Sequence, residues 1–154
     1  MNRGTDAAIL IAEDDDEDFL LAQKAFEHIQ LGVTLHRVHD GEELMEFLRQ
    51  RARQGGAAKD SIVLLLLDLN MPRKDGREAL REIKSSPELR SLPVVVLTTS
   101  RTPEDVALAY QLGVNSFIRK PFSFPELVET IASLTKYWLE VVELPFPKKA
   151  RSLP

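Results

Sequence analysis

A chain of 154 residues with a formal net charge of −4 and 44% apolar residues has the size and balance of one globular domain. It contains no cysteine, which excludes disulfides, thiolate nucleophiles and cysteine-based zinc or iron–sulfur centres. There is no basic stripe with interleaved aromatics and no run near the roughly 18 apolar residues of a membrane span, and the opening "MNRGTDAAILIAEDDD" lacks a signal-peptide core. A cytoplasmic protein with neither nucleic-acid nor membrane partners is expected.

In chain order, the first β-rich run is Ala8 to Ala12, and Phe19, Ala22, Phe26 and Ile29 then recur at helical spacing. Thr34 to Val38 reads as a second strand. Asp40-Gly41 breaks it, and Leu44, Phe47 and Leu48 mark a second helix that Gly55-Gly56 closes. The third strand, Ile62 to Leu67, is apolar throughout and runs straight into Asp68. Gly76 follows, then a helix marked by Ala79, Leu80 and Ile83. Val94 to Thr98 is the fourth strand. Thr102-Pro103-Glu104 opens a helix carrying Val106, Ala109 and Tyr110, and Gly113 ends it. Ser116 to Ile118 is the fifth strand. Lys120-Pro121 follows, and Ser123 with Pro125-Glu126 starts a last helix marked by Leu127, Ile131, Leu134 and Trp138.

Five β–α pairs in alternation predict an α/β fold, a doubly wound five-stranded parallel sheet flanked by five helices. The nearly continuous apolar runs 62–67 and 93–97 suit strands covered on both faces. Ligands of such sheets bind beyond the carboxyl ends of the strands. There the first strand ends on Glu13-Asp14-Asp15, the third on Asp68 and the fourth on Thr98-Thr99, while Lys120 follows the fifth.

Neighbouring carboxylates repel by about 4 kcal/mol at 4 Å and an effective dielectric of 20, so one takes a proton or a cation sits between them. An all-oxygen set suits Mg²⁺, with Asp14 and Asp68 as direct ligands, the backbone carbonyl of Asn70 completing the site and Glu13 acting through water. A lysine and a hydroxyl at the same rim leave room for added negative charge. That combination fits phosphoryl transfer with Asp68 as the attacking group. The apolar run then holds the nucleophile on a rigid strand. Singly, each residue has a plainer reading. Residues 14–18 are a solvated helix start, Asp68 a turn residue, Thr98 a β-former, and Lys120-Pro121 a surface turn. Their common rim joins them. His28, His36 and His39 have no metal spacing with the acids and receive no role.

"AILIAEDD", "LLLLDLNMPRKDG", "PVVVLTTS" and "SFIRKPF" resemble, over roughly residues 7–139, the receiver domain of bacterial two-component response regulators. The resemblance implies the flavodoxin-like strand order 2-1-3-4-5. It implies Asp68 as phospho-acceptor, Glu13, Asp14 and Asp68 as the Mg²⁺ pocket, Thr98 as the mobile hydroxyl and Lys120 as the phosphate-contacting lysine. Phe117 takes the aromatic switch position with Thr98, Pro121 a position often cis, and Asn70 and Ser100 positions that tune phosphoryl lifetime. Glu13 stands where Asp is commoner, Thr99 where a smaller residue is frequent, and Phe117 lacks a tyrosine's hydroxyl.

About fifteen residues follow position 139, too few for a DNA-binding module. The stretch through "YWLEVVELP" is similar to single-domain regulators paired with phytochrome kinases, in which this ending makes dimer contacts. The expected division is a receiver, 1–143, and an extension, 144–154, serving as a dimer arm. Tyr137, Trp138, Val141, Val142, Leu144 and Phe146 supply apolar surface for that dimer, which would also use helix 4, strand 5 and helix 5. The alternative is that Trp138 and Val142 pack back on the chain's own helices.

The expected partner is a sensor histidine kinase of the phytochrome type, and the protein is expected not to be an enzyme beyond accepting the phosphoryl group and slowly losing it. The rivals are a Mg²⁺-dependent aspartyl phosphohydrolase, disfavoured by Asn70 where an acid would stand, and a nucleotide or flavin binder, disfavoured by "AEDDDEDF" where a phosphate loop belongs. A receiver stripped of phosphorylation chemistry is disfavoured by the complete acid set.

Overall fold

The computed structural model describes residues 7–55 and 60–145. Five strands, β1 (Ala7–Ala12), β2 (Thr34–Val38), β3 (Ser61–Leu67), β4 (Val94–Thr98) and β5 (Ser116–Arg119), form one parallel sheet in the order 2-1-3-4-5. The helices α1 (Asp16–Ile29), α2 (Gly41–Gln54), α3 (Gly76–Ser85), α4 (Pro103–Leu112) and α5 (Phe124–Lys136) alternate with them. This is the expected architecture, with strand bounds differing by a residue.

Successive side chains of a strand point to opposite faces, and each face here has its own core. Leu10, Leu65, Leu67 and Val96 meet Leu44, Leu80 and Ile83 of α2 and α3 on one side. Ile9, Ile11, Leu64, Leu66 and Val95 meet Phe26 of α1 and Ile131 of α5 on the other. That double cover explains why β3 alternates between faces without alternating in polarity.

The register aligns the strand ends. Ala12 lies opposite Leu67, Leu67 opposite Val96, and Thr98 opposite Arg119. The next residues, Glu13, Asp68 and Lys120, therefore emerge along one edge. Main-chain bonds extend the alignment past the strands, from Asp68 N–H to the Ala12 carbonyl at 3.1 Å and from Lys120 N–H to the Thr98 carbonyl at 2.8 Å.

Helix starts follow their capping residues. Asp15, Asp40, Asp75, Thr102 and Ser123 each accept from the first turn behind them, and Asp75 with Glu78 closes a full capping box. Gly113 ends α4 at φ 107°, a left-handed conformation that costs other residues.

Val106, Ala109 and Tyr110 fall on α4 as expected, but only Ala109 is buried and Tyr110 is 50% exposed. No peptide bond among the described residues is cis, so Lys120–Pro121 takes the trans form that X–Pro bonds favour by about 0.5–1 kcal/mol. Past α5 the chain makes a π-helical turn, Tyr137–Val141, and then Trp138, Leu139 and Leu144 pack partly against the α1–α5 core. Part of the tail's apolar surface is thus covered by its own chain, while Tyr137 and Val141 stay exposed. Phe146 and the rest of the extension lie outside the described residues, as does Gly56.

Candidate functional site

Asp68 is the centre of the rim. It is 6% exposed, at the end of the fully buried part of β3. One carboxylate oxygen, Oδ1, accepts from the hydroxyl of Thr98 at 2.8 Å and from the Asn70 backbone N–H at 3.2 Å. The other, Oδ2, lies 3.3 Å from the Lys120 ammonium. Thr98 is completely buried.

Lys120 reaches across the sheet from the loop behind β5. Its Nζ donates to Glu13 Oε1 at 2.6 Å and to Asp18 Oδ2 at 2.7 Å. Burial alone would lower the lysine's pKa, but the hydrogen bonds to Asp18 and Glu13 and the charge of Asp68 outweigh it and hold the pKa above the ordinary value. Glu13 responds oppositely. Burial dominates and pushes its pKa up to about 7, with Asp68 adding repulsion and Lys120 only partly compensating.

The site is therefore short of positive charge. Carboxylate oxygens of Glu13, Asp14 and Asp68 all lie within 4.8 Å of one another, two of these groups are buried, and Asp18 shares their one lysine. A hard divalent cation is what such an oxygen set accommodates.

The predicted residues divide in two. Glu13, Asp14, Asp68, Thr98 and Lys120 come together, and Asn70 touches the group through its N–H. Phe117 is elsewhere. It packs partly against the α2–α3–α4 core, and its N–H donates to the Tyr110 hydroxyl at 3.2 Å. Thr99 lines a cavity of about 310 Å³ beside Asp68, whose walls include Leu21, Leu66, Leu127 and Phe122.

Sequence reasoning left three contributors unnamed. By sequence Asp18 is part of a solvated helix start. As the third residue of α1 its side chain leans back toward the helix N-terminus and so toward the rim, and that lean was the available signal. Arg37 of β2 donates through Nε to the Glu13 carbonyl at 3.0 Å and pairs with Asp16 at 2.9 Å. Arg101 lies over the ring of Phe122 at 4.5 Å, joining the β4–α4 and β5–α5 loops. Nothing local in the sequence announces either arginine.

The rim of the parallel sheet thus gathers a hydroxyl, an ammonium and two further acids around one buried carboxylate. Residues 9–132 match the response regulator receiver domain, and the chain belongs to that family of two-component signalling proteins. It is similar to Response regulator Rcp1 of Synechocystis sp. (strain ATCC 27184 / PCC 6803 / Kazusa), 39% identical over 137 residues that span 89% of this chain and 92% of Rcp1. Among solved structures it is similar to the phosphorylated cyanobacterial phytochrome response regulator RcpA, at 40% identity and TM-score 0.80 over 90% of this chain and 98% of that one. It is also similar to the Mn(2+)-bound form of Rcp1, at 40% identity and TM-score 0.78 over 90% and 99%.

Proposed function

We propose that Asp68 accepts a phosphoryl group from the phosphohistidine of a phytochrome-type sensor histidine kinase, and that the chain then signals through protein–protein contacts. The observation that carries this reading is the setting of Asp68, with Thr98 on one oxygen, Lys120 near the other and two further acids alongside. Support comes from two relatives, RcpA having been solved phosphorylated and Rcp1 with Mn²⁺.

A carboxylate oxygen of Asp68 attacks phosphorus in line. The O–P bond forms as the P–N bond to the donor imidazole breaks, and the electron pair stays on the ring nitrogen. Lys120 neutralises charge on the transferred group, and the Thr98 hydroxyl donates to one of its oxygens. Glu13, Asp14, Asp68 and the Asn70 backbone carbonyl would hold Mg²⁺, which when bound neutralises the phosphoryl oxygens. Asn70 leaves no second acid two residues beyond Asp68, so turnover on a separate substrate has no general acid there.

The output face is the one formed by α4, β5 and α5, which would make a homodimer together with the extension 144–154. Tyr110, Phe122, Tyr137 and Val141 are exposed apolar or aromatic side chains of this region, and a groove of about 930 Å³ runs past Tyr137, Trp138 and Phe122.

The test is intact mass after incubation with phosphoramidate and Mg²⁺. One added phosphoryl group in the wild type, absent from Asp68→Asn and from a chelator-treated sample, is expected. No gain, or an equal gain in Asp68→Asn, overturns the reading. Solution size with and without beryllofluoride tests the dimer.

A further inference from the structure

A circuit of polar contacts leaves Asp68 and returns to the residue beside it. Thr98 Oγ1 is bound to Asp68, and the Ser100 backbone N–H approaches that same Oγ1 at 3.4 Å. The Ser100 hydroxyl donates to Oδ2 of Asp105, in the first turn of α4. Asp105 is gripped at both oxygens by the Arg77 guanidinium, from Nε at 2.9 Å and from Nη2 at 2.8 Å. Arg77 stands in the first turn of α3, and its Nη1 lies 3.5 Å from the Leu69 carbonyl.

This is a forked arginine–carboxylate pair, the geometry that makes such bonds strong. The hydrogen bonds from Arg77, then from Ser100, hold the Asp105 carboxyl at about 2, while Asp105 raises the Arg77 guanidinium above its ordinary value. Both groups are ionised under any ordinary condition. Around them the structure is thin. α4 buries only Ala109, and the loop 99–102 is largely exposed. The position of the loop therefore depends on these few polar bonds more than on packing.

We propose that Arg77, Asp105 and Ser100 form a brace that holds the β4–α4 loop in the arrangement described here, and that breaking it favours the phosphoryl-bound arrangement. The inference rests on the acceptor role of Asp68. For the Thr98 hydroxyl to reach an oxygen of a phosphoryl group it must leave Asp68 Oδ1, and the chain behind it must follow. Ser100, two residues on, is tied to α4 and through Arg77 to α3. Bonds made in one arrangement and lost in the other shift the balance toward the first by their difference in free energy. Arg77 and Asp105 are thus positioning residues that touch neither the acceptor nor its donor.

The test measures beryllofluoride affinity in the presence of Mg²⁺, by ¹⁹F NMR titration, for the wild type, Arg77→Ala, Asp105→Asn and Ser100→Ala. A gain of about three- to tenfold is expected for the first two variants and a smaller one for Ser100→Ala, because it removes a single arm. Arg77→Lys, which retains charge but not the fork, should fall between wild type and Arg77→Ala. Thermal melts of each variant establish that it is folded. A purely structural role predicts unchanged or weaker binding, and either result overturns the brace. If the wild type itself fails to bind beryllofluoride, the acceptor reading fails and takes the brace with it. Wild-type binding with unaltered variants removes the brace alone.

Discussion

The middle of the sheet and its β5 edge are built to different standards. β4 is buried at every position and β3 at five of its seven, and their side chains lie between two helical layers. β5 has no fully buried residue, and its neighbour α4 has one. Asp68 and Thr98 stand at the end of the first region, and the loop and helix held by the proposed brace lie toward the second. Chemistry that depends on placement gains from a rigid support, and a response that depends on rearrangement gains from a weakly held one. The same domain provides both by distributing burial unevenly.

The sharpest way to break that comparison is to truncate one leucine in each region. Leu65→Ala, at a fully buried position of β3, should cost about 3–5 kcal/mol in urea unfolding. Leu108→Ala, on the half-buried side of α4, should cost about 1 kcal/mol. Equal costs would remove the distinction.

The second prediction concerns charge at the rim. Lys120→Ala leaves Glu13, Asp18 and Asp68 without their shared ammonium, and the variant should lose about 2–3 kcal/mol in chelator. Added Mg²⁺ should raise its melting temperature by more than it raises that of the wild type. A smaller rise in the variant would mean that lysine and metal do not answer the same deficit of positive charge.

The smallest effect lies at the α3–α4 contact and is read through pH. Asp105 has a folded-state pKa of about 2, below the roughly 3.9 of an unfolded chain. A depressed carboxylate pKa means stability that is complete above the unfolded value and lost as pH falls through the folded one. Wild type should therefore lose this contribution between about pH 4 and pH 2. Arg77→Ala should lack it at neutral pH, by about 1 kcal/mol after allowance for solvent screening, and should show a flatter stability profile over that interval. Parallel profiles for the two proteins would show that the pair contributes nothing to folding.

Legibility in the sequence divides along the same line. The rim was legible because a parallel sheet puts successive strand ends at one level, so the residues just past Ala12, Leu67, Leu97 and Arg119 spell out the site. Caps at Thr102 and Ser123 were legible because the first turn's needs are local. Asp18 with Lys120 and Arg77 with Asp105 were not, because ion pairs separated by 102 and 28 positions leave no trace in spacing. The exposure of Tyr110 was not legible either, because helical periodicity marks a face without saying whether anything covers it.

Two glycines carry a last consequence. A Cβ on Gly41 would overlap the Lys74 carbonyl, and one on Gly76 would overlap the Asp68 carbonyl. The segment between Asp68 and α3 is instead secured by main-chain bonds, Gly41 N–H to the Lys74 carbonyl at 2.8 Å and Gly76 N–H to the Leu69 carbonyl at 2.9 Å. Backbone atoms thus set the path of this segment, while the side chains of Arg73 and Lys74 pair outward with Asp40 of the α2 cap and Glu82 of α3. A substitution at either position therefore reaches the neighbouring helices through those ion pairs before it reaches Asp68.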